Sequence, residues 1–210
     1  MAWKESLPFL FFSLVPALLL SVWAPFFSIP FWLVVVGIVA FFRDPVRNVQ
    51  ARGKDILSAA DGRVVTVDEV EAPEFSMGKT KRVAVFLSVL DVHVNRAPFA
   101  GRITRIVHRN GSFLDARTQQ IDLKNERRLW LIDTCYGSIL VSQIAGLIAR
   151  RIVGWKTEGQ PVERGERFGM IRFGSRTDVY LPLECEILVR HGDIVRGGQT
   201  IIARWPHPHP

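Results

Sequence analysis

An uncharged run, Ser6 to Phe42, most constrains how this chain can fold. The run is dense in Leu, Phe, Val and Trp, and as one helix it would be roughly 55 Å long at about 1.5 Å per residue. Since the hydrocarbon core of a bilayer is only about 30 Å thick, one straight span is excluded. Pro25 and Pro30 predict a break into two short apolar helices. Residues 1–42 are therefore expected to form a helical hairpin that anchors the chain by entering or spanning a membrane.

Cationic side chains flank this run on both sides: Lys4, Arg43, Arg47, Arg52 and Lys54. The positive-inside bias keeps both ends of such a hairpin on the cytoplasmic side of the cell (inner) membrane. A cleaved signal peptide is the competing interpretation, but Val22-Trp23-Ala24-Pro25 is a poor small-residue cleavage site, and the apolar run continues beyond it. Residues 43–210 remain, enough for one domain with its own core.

A repeated turn pattern predicts the architecture of residues 43–210. Gly159 to Gly165 and Gly192 to Gly198 share the pattern Gly-x-x-Val-x-x-Gly, and an apolar strand follows each copy. Similar turns recur in biotinyl and lipoyl carrier domains, where they close short antiparallel strands into a flattened barrel. We predict a mainly β fold, α+β when the hairpin is included, whose domain is a barrel-like β sandwich.

The chain carries a formal net charge of +7. Aromatic stacking motifs for nucleic acid are absent from the sequence, so we assign this charge to anionic lipid headgroups and expect no nucleic-acid partner. The two cysteines, Cys135 and Cys185, lie in apolar, strand-like sequence without Cys-x-x-Cys spacing. They are expected to be reduced core thiols in a reducing compartment.

The pair Gly174-Ser175 lies between two predicted strands, Phe168 to Phe173 and Asp178 to Pro182. A serine hydroxyl can attack the carbonyl before it when the preceding residue has no side chain, and glycine tolerates strained backbone angles. The attack would turn the amide into an ester, elimination would leave a dehydroalanine, and hydrolysis would give a pyruvoyl group on the new downstream chain. Gly-Ser is also a common turn pair, so the surrounding motifs decide between a self-cleavage site and a loop.

Two further stretches supply titratable groups. Ser58 to Val65 contains Ala-Asp-Gly, and Leu90 to Pro98 contains Asp-x-His. With Asn125-Glu126-Arg127 and Phe173-Gly174-Ser175, in this order, they resemble the phosphatidylserine decarboxylase proenzyme family, particularly its short branch with an arginine after Phe-Gly-Ser. The resemblance covers roughly Arg43 to Arg204.

The resemblance implies an enzyme that converts phosphatidylserine to phosphatidylethanolamine and CO2. Ser175 would become the covalent pyruvoyl cofactor by cleavage after Gly174, and the substrate amine would form a Schiff base with its ketone. Asp61 would take part in self-cleavage, and His93 would reprotonate the substrate carbon. Neither pyridoxal phosphate nor a metal is then expected. The two cleavage fragments would stay associated, and a homo-oligomer is compatible with this assignment.

One position departs from the longer members of the family, which carry a second histidine three residues after the first. This chain has Arg96 there, and an arginine stays protonated and cannot act as a base. The base for self-cleavage is therefore either His93 or Asp61. Arg96 becomes a candidate for binding the substrate phosphate, as are two other cations: Arg63 and Arg176.

Two other functions stay open at this point. The turn pattern is compatible with a membrane-tethered, non-catalytic carrier or adaptor, although Arg164 and Arg196 stand in the two copies and neither copy offers a lysine for biotin or lipoate. A pyruvoyl decarboxylase acting on a soluble amino acid is the second alternative. The apolar anchor argues against it, because a soluble substrate gives no reason to hold the site at a bilayer.

Overall fold

The computed structural model describes residues 2–72, 74–75, 77–111, 125–146, 151–172 and 175–206. The chain divides into two compact units, Met1–Val46 and Arg47–Pro210.

The first unit consists of two apolar helices, α1 (Ala2–Trp23) and α2 (Pro25–Phe41). They break at Ala24, and Pro25 begins α2 at a position where the missing N–H of proline has no helical partner to lose. Pro30 lies inside α2. The predicted break into two apolar helices is confirmed, but it lies at Ala24, directly before Pro25, and not between Pro25 and Pro30, because proline is readily accommodated at the first position of a helix.

The two helices pack as an antiparallel hairpin. Trp32 Nε1 donates a hydrogen bond to Ser21 Oγ (3.1 Å) near the turn, while the rings of Phe9 and Phe42 lie 5.8 Å apart at the open end. Ser13 and Ser21 donate their hydroxyls to carbonyls one turn earlier in α1, which satisfies these polar groups without water. By length and composition α1 is able to cross a membrane, and α2 is a shorter apolar helix.

The second unit is built from strands, as predicted. In its described part they are β1 (Asp55–Leu57), β2 (Gly62–Glu71), β3 (Lys79–Leu87), β4 (Val94–Arg96), β5 (Gly101–Arg109), β6 (Arg127–Asp133), β7 (Ser138–Ala145), β8 (Arg151–Gly154), β9 (Pro161–Val162), β10 (Arg167–Arg172), β11 (Ser175–Leu181), β12 (Glu186–Ile187), β13 (Ile194–Val195) and β14 (Ile201–Arg204). Eight of them form a curled, half-barrel sheet in the order β13-β2-β3-β11-β7-β6-β5-β9. Two three-stranded sheets, β1-β14-β12 and β4-β10-β8, complete the mainly β fold.

The two glycine-rich turns draw the edges of the large sheet together. They contain the edge strands β9 and β13, and their backbone hydrogen bonds match: Gly159 N to Ile103 O and Gly192 N to Val64 O, then Gly165 N to Ala97 O and Gly198 N to Ser58 O. Gly165 and Gly198 have positive φ angles of 78° and 74°, which favour glycine. A Cβ on Gly198 would lie 3.5 Å from Gly165 Cα, so the turns touch. This contact gives the domain its barrel-like character, as the repeated pattern predicts.

The main core lies on one face of the large sheet. Alternate residues of β3, namely Val83, Val85 and Leu87, point to this face and are buried, as expected for a strand with one side against a core. Trp130 of β6 packs edge-to-face on Phe168 of β10 at 5.0 Å between ring centroids, joining the large sheet to the β4-β10-β8 sheet. Strand β11 lies in the middle of the large sheet, so its first residue is held from both sides.

Candidate active site

Ser175 is the first residue of β11 and is fully buried. It pairs with Leu87 of β3 on one side and with Ala145 of β7 on the other. Its Oγ has no hydrogen-bond partner among the described residues, although leaving a buried hydroxyl unpaired costs about 1–3 kcal/mol. Gly174, the other half of the predicted cleavage site, lies outside the described residues. Ser175 therefore presents a hydroxyl that neither donates a hydrogen bond to a described group nor accepts one from it.

His93 is also fully buried, directly before β4. Its Nδ1 lies 2.9 Å from the carbonyl oxygen of Asp91. Because a carbonyl only accepts, Nδ1 carries the proton of the neutral ring and Nε2 carries the lone pair. The backbone carbonyl of His93 accepts a hydrogen bond from Ile171 N (3.2 Å) in β10, the strand that leads toward Ser175.

A tight turn connects the end of β3 to His93. Asp91 Oδ2 accepts hydrogen bonds from both the amide (2.8 Å) and the hydroxyl (2.7 Å) of Ser88, and Asp91 N donates to Ser88 O (2.9 Å). The turn begins directly after Leu87, the β3 neighbour of Ser175. His93 is thus linked through the 88–91 turn to β3, which pairs with β11, and by its carbonyl to β10, which precedes β11 in the chain.

A buried polar network continues along the same sheet face as Ser175. Asn95 Nδ2 donates to Thr177 Oγ1 (3.0 Å), Gln143 Nε2 donates to Asn95 Oδ1 (2.7 Å), and Trp130 Nε1 donates to Gln143 Oε1 (2.7 Å). Thr177 and Gln143 pair directly across β11 and β7. Sequence reasoning assigned no role to these residues, although a glutamine within the apolar run of β7 was a usable signal.

Asp61 is engaged on both carboxylate oxygens. Arg47 Nη2 lies 2.6 Å from Oδ2, and the amide of Gly197 donates to Oδ1 (2.8 Å). Among the described residues Asp61 makes no hydrogen bond to Ser175 or His93. The carboxylate instead joins the loop before β2 to the second glycine-rich turn.

The three candidate phosphate ligands lie in different environments. Arg96 is buried, donates to Gly165 O (3.1 Å) and packs so closely on the turn that a Cβ on Gly198 would lie 2.7 Å from its Cδ. Arg176 is buried on the opposite sheet face from Ser175, since successive strand residues alternate. It binds Asp178 through two hydrogen bonds of 2.8 and 2.7 Å. Arg63 is the exposed member of the three.

An open pocket of about 290 Å³ lies at this end of the sheet, and it is lined by Gly62, Arg63, Phe86, Ser88, Asp91 and Ile194. Phe86 pairs with Arg176, the residue after Ser175, so the pocket adjoins the start of β11. Its size is at the lower end of ordinary small-molecule sites. The pocket lies on the sheet face of Phe86 and Arg176, opposite the Ser175 side chain, and the guanidinium of Arg63 is among its lining groups.

Both cysteines were expected to be buried core thiols, and this expectation is wrong for Cys135. This residue is exposed in the turn between β6 and β7, whereas Cys185 is buried as predicted. Burial raises the pKa of the Cys185 thiol to about 12, with a further contribution from Glu184. Both thiols are free. His207 and His209 lie outside the described residues.

Comparison with known proteins places the chain in a family. A family model described as Phosphatidylserine decarboxylase matches residues 37–203, a range that contains Asp61, His93 and Ser175. A phosphatidylserine decarboxylase proenzyme of Symbiobacterium thermophilum is 50% identical over 167 residues, 79% of this chain and 78% of the relative. Proenzymes of the same name from Burkholderia multivorans and Burkholderia cenocepacia are 42% identical over 202 residues, 95% of this chain and 94% of each relative. The chain belongs to the phosphatidylserine decarboxylase family.

Proposed function

We propose that this protein converts phosphatidylserine to phosphatidylethanolamine and CO2, and that it matures by cutting its own backbone between Gly174 and Ser175. The observation that carries the proposal is the buried Ser175 Oγ, which lacks a described partner at the head of a central strand. A serine with a purely structural role in such a place is normally hydrogen-bonded. Family membership supports the decarboxylase and does not support the tethered carrier or adaptor.

Self-cleavage needs a base that takes the proton of Ser175. We assign this task to His93, because its Nδ1 is bound to the Asp91 carbonyl and its Nε2 bears the lone pair. Asp61 is the weaker candidate, since the guanidinium of Arg47 and the backbone amide of Gly197 already occupy its two carboxylate oxygens. We assign Asp61 the role of fixing the loop before β2 against the second glycine-rich turn.

Residue 175 at the buried start of β11 would carry the pyruvoyl group, which would supply a ketone for the substrate amine and an acceptor for the electron pair left by CO2. The positioning of β11 and the proton transfer fall to side chains of this protein. The Thr177–Asn95–Gln143 network holds β11 in register, and His93 delivers a proton to the substrate carbon that has lost its carboxylate. Burial of residue 175 keeps bulk water from that carbon.

In this proposal the fragments before and after the cleaved bond stay associated in one folded domain. Strand β11, which begins the downstream fragment, pairs with β3 and β7 of the upstream fragment. Strand β13 pairs with β2, and β14 pairs with β1. Cutting one peptide bond leaves these ladders in place, so the fragments separate only on denaturation.

The apolar hairpin of α1 and α2 supplies the membrane attachment. Its charge-free length and cationic flanks favour insertion from the cytoplasmic face of the cell membrane. The net positive charge of the chain favours anionic lipid, of which phosphatidylserine is one. The substrate is therefore drawn from the bilayer in which the hairpin sits.

The test is the intact mass of the purified protein under denaturing conditions. The wild type should give two fragments, Met1 to Gly174 and a shorter one whose first residue has a blocked amino terminus. Ser175→Ala should remain a single chain of 23.8 kDa and be inactive. Ser142→Ala, a buried serine on the neighbouring strand β7, is the matched control and should cleave normally. Cleavage of Ser175→Ala at this bond would refute the assignment.

A further inference from the structure

Three large apolar side chains are exposed beside the mouth of the pocket. Val89, Leu90 and Ile194 are 48%, 82% and 73% exposed, and we call them the apolar rim. Ile194 lines the pocket itself. Val89 and Leu90 are the two central residues of the turn whose ends, Ser88 and Asp91, line the same pocket. The rim is therefore one local surface.

Local structure holds these residues outward. The Asp91 carboxylate closes the 88–91 turn onto Ser88, and central turn positions are ordinarily filled by Gly, Asn, Asp, Ser or Pro. Ile194 belongs to the edge strand β13, and its neighbour Val195 points into the core, so alternation turns Ile194 to the outside. Outward positions of edge strands usually carry charge. Apolar residues at all three positions call for a partner.

Cations accompany the apolar rim. Arg63 lines the pocket and pairs with Ile194 across β2 and β13, with its Nη1 bound to Gly192 O (3.0 Å). Arg190 and Arg196, on either side of Ile194 in the chain, are exposed. Exposed aliphatic side chains interleaved with arginines are the composition of surfaces that lie in the headgroup layer of anionic membranes.

We propose that the apolar rim is a second membrane contact, located in the Arg47–Pro210 unit and separate from the hairpin. Val89, Leu90 and Ile194 enter the headgroup region of an anionic bilayer, while Arg63, Arg190 and Arg196 meet lipid phosphates. The pocket mouth next to the start of β11 then opens onto the lipid surface. The inference rests on the proposed function in one respect: a second membrane contact serves the enzyme only if its substrate is a lipid.

The direct test labels the rim in the full-length protein. Leu90→Cys, in a Cys135→Ser background, is modified with an environment-sensitive nitrobenzoxadiazole fluorophore and reconstituted into vesicles of phosphatidylcholine and phosphatidylglycerol. The emission of the fluorophore should shift to the blue relative to the labelled protein mixed with dispersed short-chain phospholipid in the absence of vesicles. Vesicle lipids that carry a nitroxide near the headgroup should quench this emission. Val67→Cys is the matched control, because Val67 is a partly exposed aliphatic residue of β2 outside the pocket lining. Equal quenching at positions 67 and 90, or none at position 90, would overturn the inference.

A kinetic arm uses Leu90→Ser combined with Ile194→Ser. Removing two aliphatic side chains from a lipid contact should raise the ratio of KM for vesicle substrate to KM for dispersed short-chain substrate by roughly tenfold or more. Val67→Ser should leave this ratio unchanged. An unchanged ratio in the double variant would contradict the proposal. Failure of the wild type to cleave at Ser175 would instead refute the proposed function, and the fluorescence readout would still report on the rim.

Discussion

A buried ion pair directly after the cleavage site offers a prediction whose size follows from the structure. Asp178 is fully buried and accepts two hydrogen bonds from the guanidinium of Arg176, which is also buried. Arg82 Nη1 lies 3.9 Å from the same carboxylate. These groups occupy the sheet face opposite Ser175. Asp178→Asn removes the counter-charge while keeping the size of the side chain.

The expected loss is about 3–5 kcal/mol of unfolding free energy, because the substitution leaves a guanidinium buried without its carboxylate. That is a large share of the roughly 5–15 kcal/mol by which domains are stable. Glu69→Gln is the matched control: Glu69 pairs with Lys79 at 3.4 Å and both side chains are half exposed or more, so its loss should cost about 1 kcal/mol or less. Replacing both members of the buried pair, with Arg176→Met and Asp178→Leu, should recover most of the loss, because the guanidinium and its carboxylate are removed together and Arg82 keeps Asp68 as its partner.

The assay is urea unfolding of the full chain in detergent micelles, followed by tryptophan fluorescence. All variants are made in a Ser175→Ala background, so that a single covalent chain unfolds. Equal midpoints for Asp178→Asn and Glu69→Gln would refute the argument, since burial would then not distinguish the two carboxylates. A double variant no more stable than Asp178→Asn would show that the loss comes from packing and not from unpaired charge.

Three further outcomes follow from the site and the surface. His93→Ala should slow self-cleavage and, in the molecules that do cleave, lower decarboxylation at least about 100-fold, measured as CO2 release normalised to the cleaved fraction; normal turnover by cleaved His93→Ala would remove that residue from the decarboxylation step. Asp61→Ala should slow cleavage alone. Iodoacetamide at pH 8 should modify the exposed Cys135 in the folded protein and leave Cys185 intact, since burial raises the pKa of Cys185 to about 12; peptide mass spectrometry decides. The pKa of Asp55 lies below its usual 3.8. Burial alone would raise this pKa, but hydrogen bonds from the amide of Arg52 and the guanidinium of Arg204 outweigh burial and lower it. Asp55→Asn should therefore destabilise the protein above about pH 4, and the difference in urea midpoint should vanish as the pH falls through the folded-state pKa.

Local patterns determined much of the architecture. The charge-free run predicts apolar helices, and the matched Gly-x-x-Val-x-x-Gly copies predict two equivalent turns in a barrel-like β domain. The apolar stretches on either side of Gly174-Ser175 predict the strands observed as β10 and β11. These features are readable because they depend on neighbours in the chain: hydrophobic periodicity, glycine at positive φ, and the absence of charge over a membrane-length segment. The motifs around Asp61, His93 and Ser175 carried the family resemblance for the same reason.

Other features depend on residues that only the folded chain brings together. Asn95 meets Thr177 and Gln143 across separations of 82 and 48 residues, and no local pattern predicts such a network. The exposure of Cys135 and the pairing of Asp61 with Arg47 were likewise decided by packing. The unpaired hydroxyl of Ser175 is the clearest case. Sequence chemistry identified the serine, but its burial between β3 and β7 without a described partner follows from tertiary packing, because hydrogen bonding in a core depends on which strands surround a side chain.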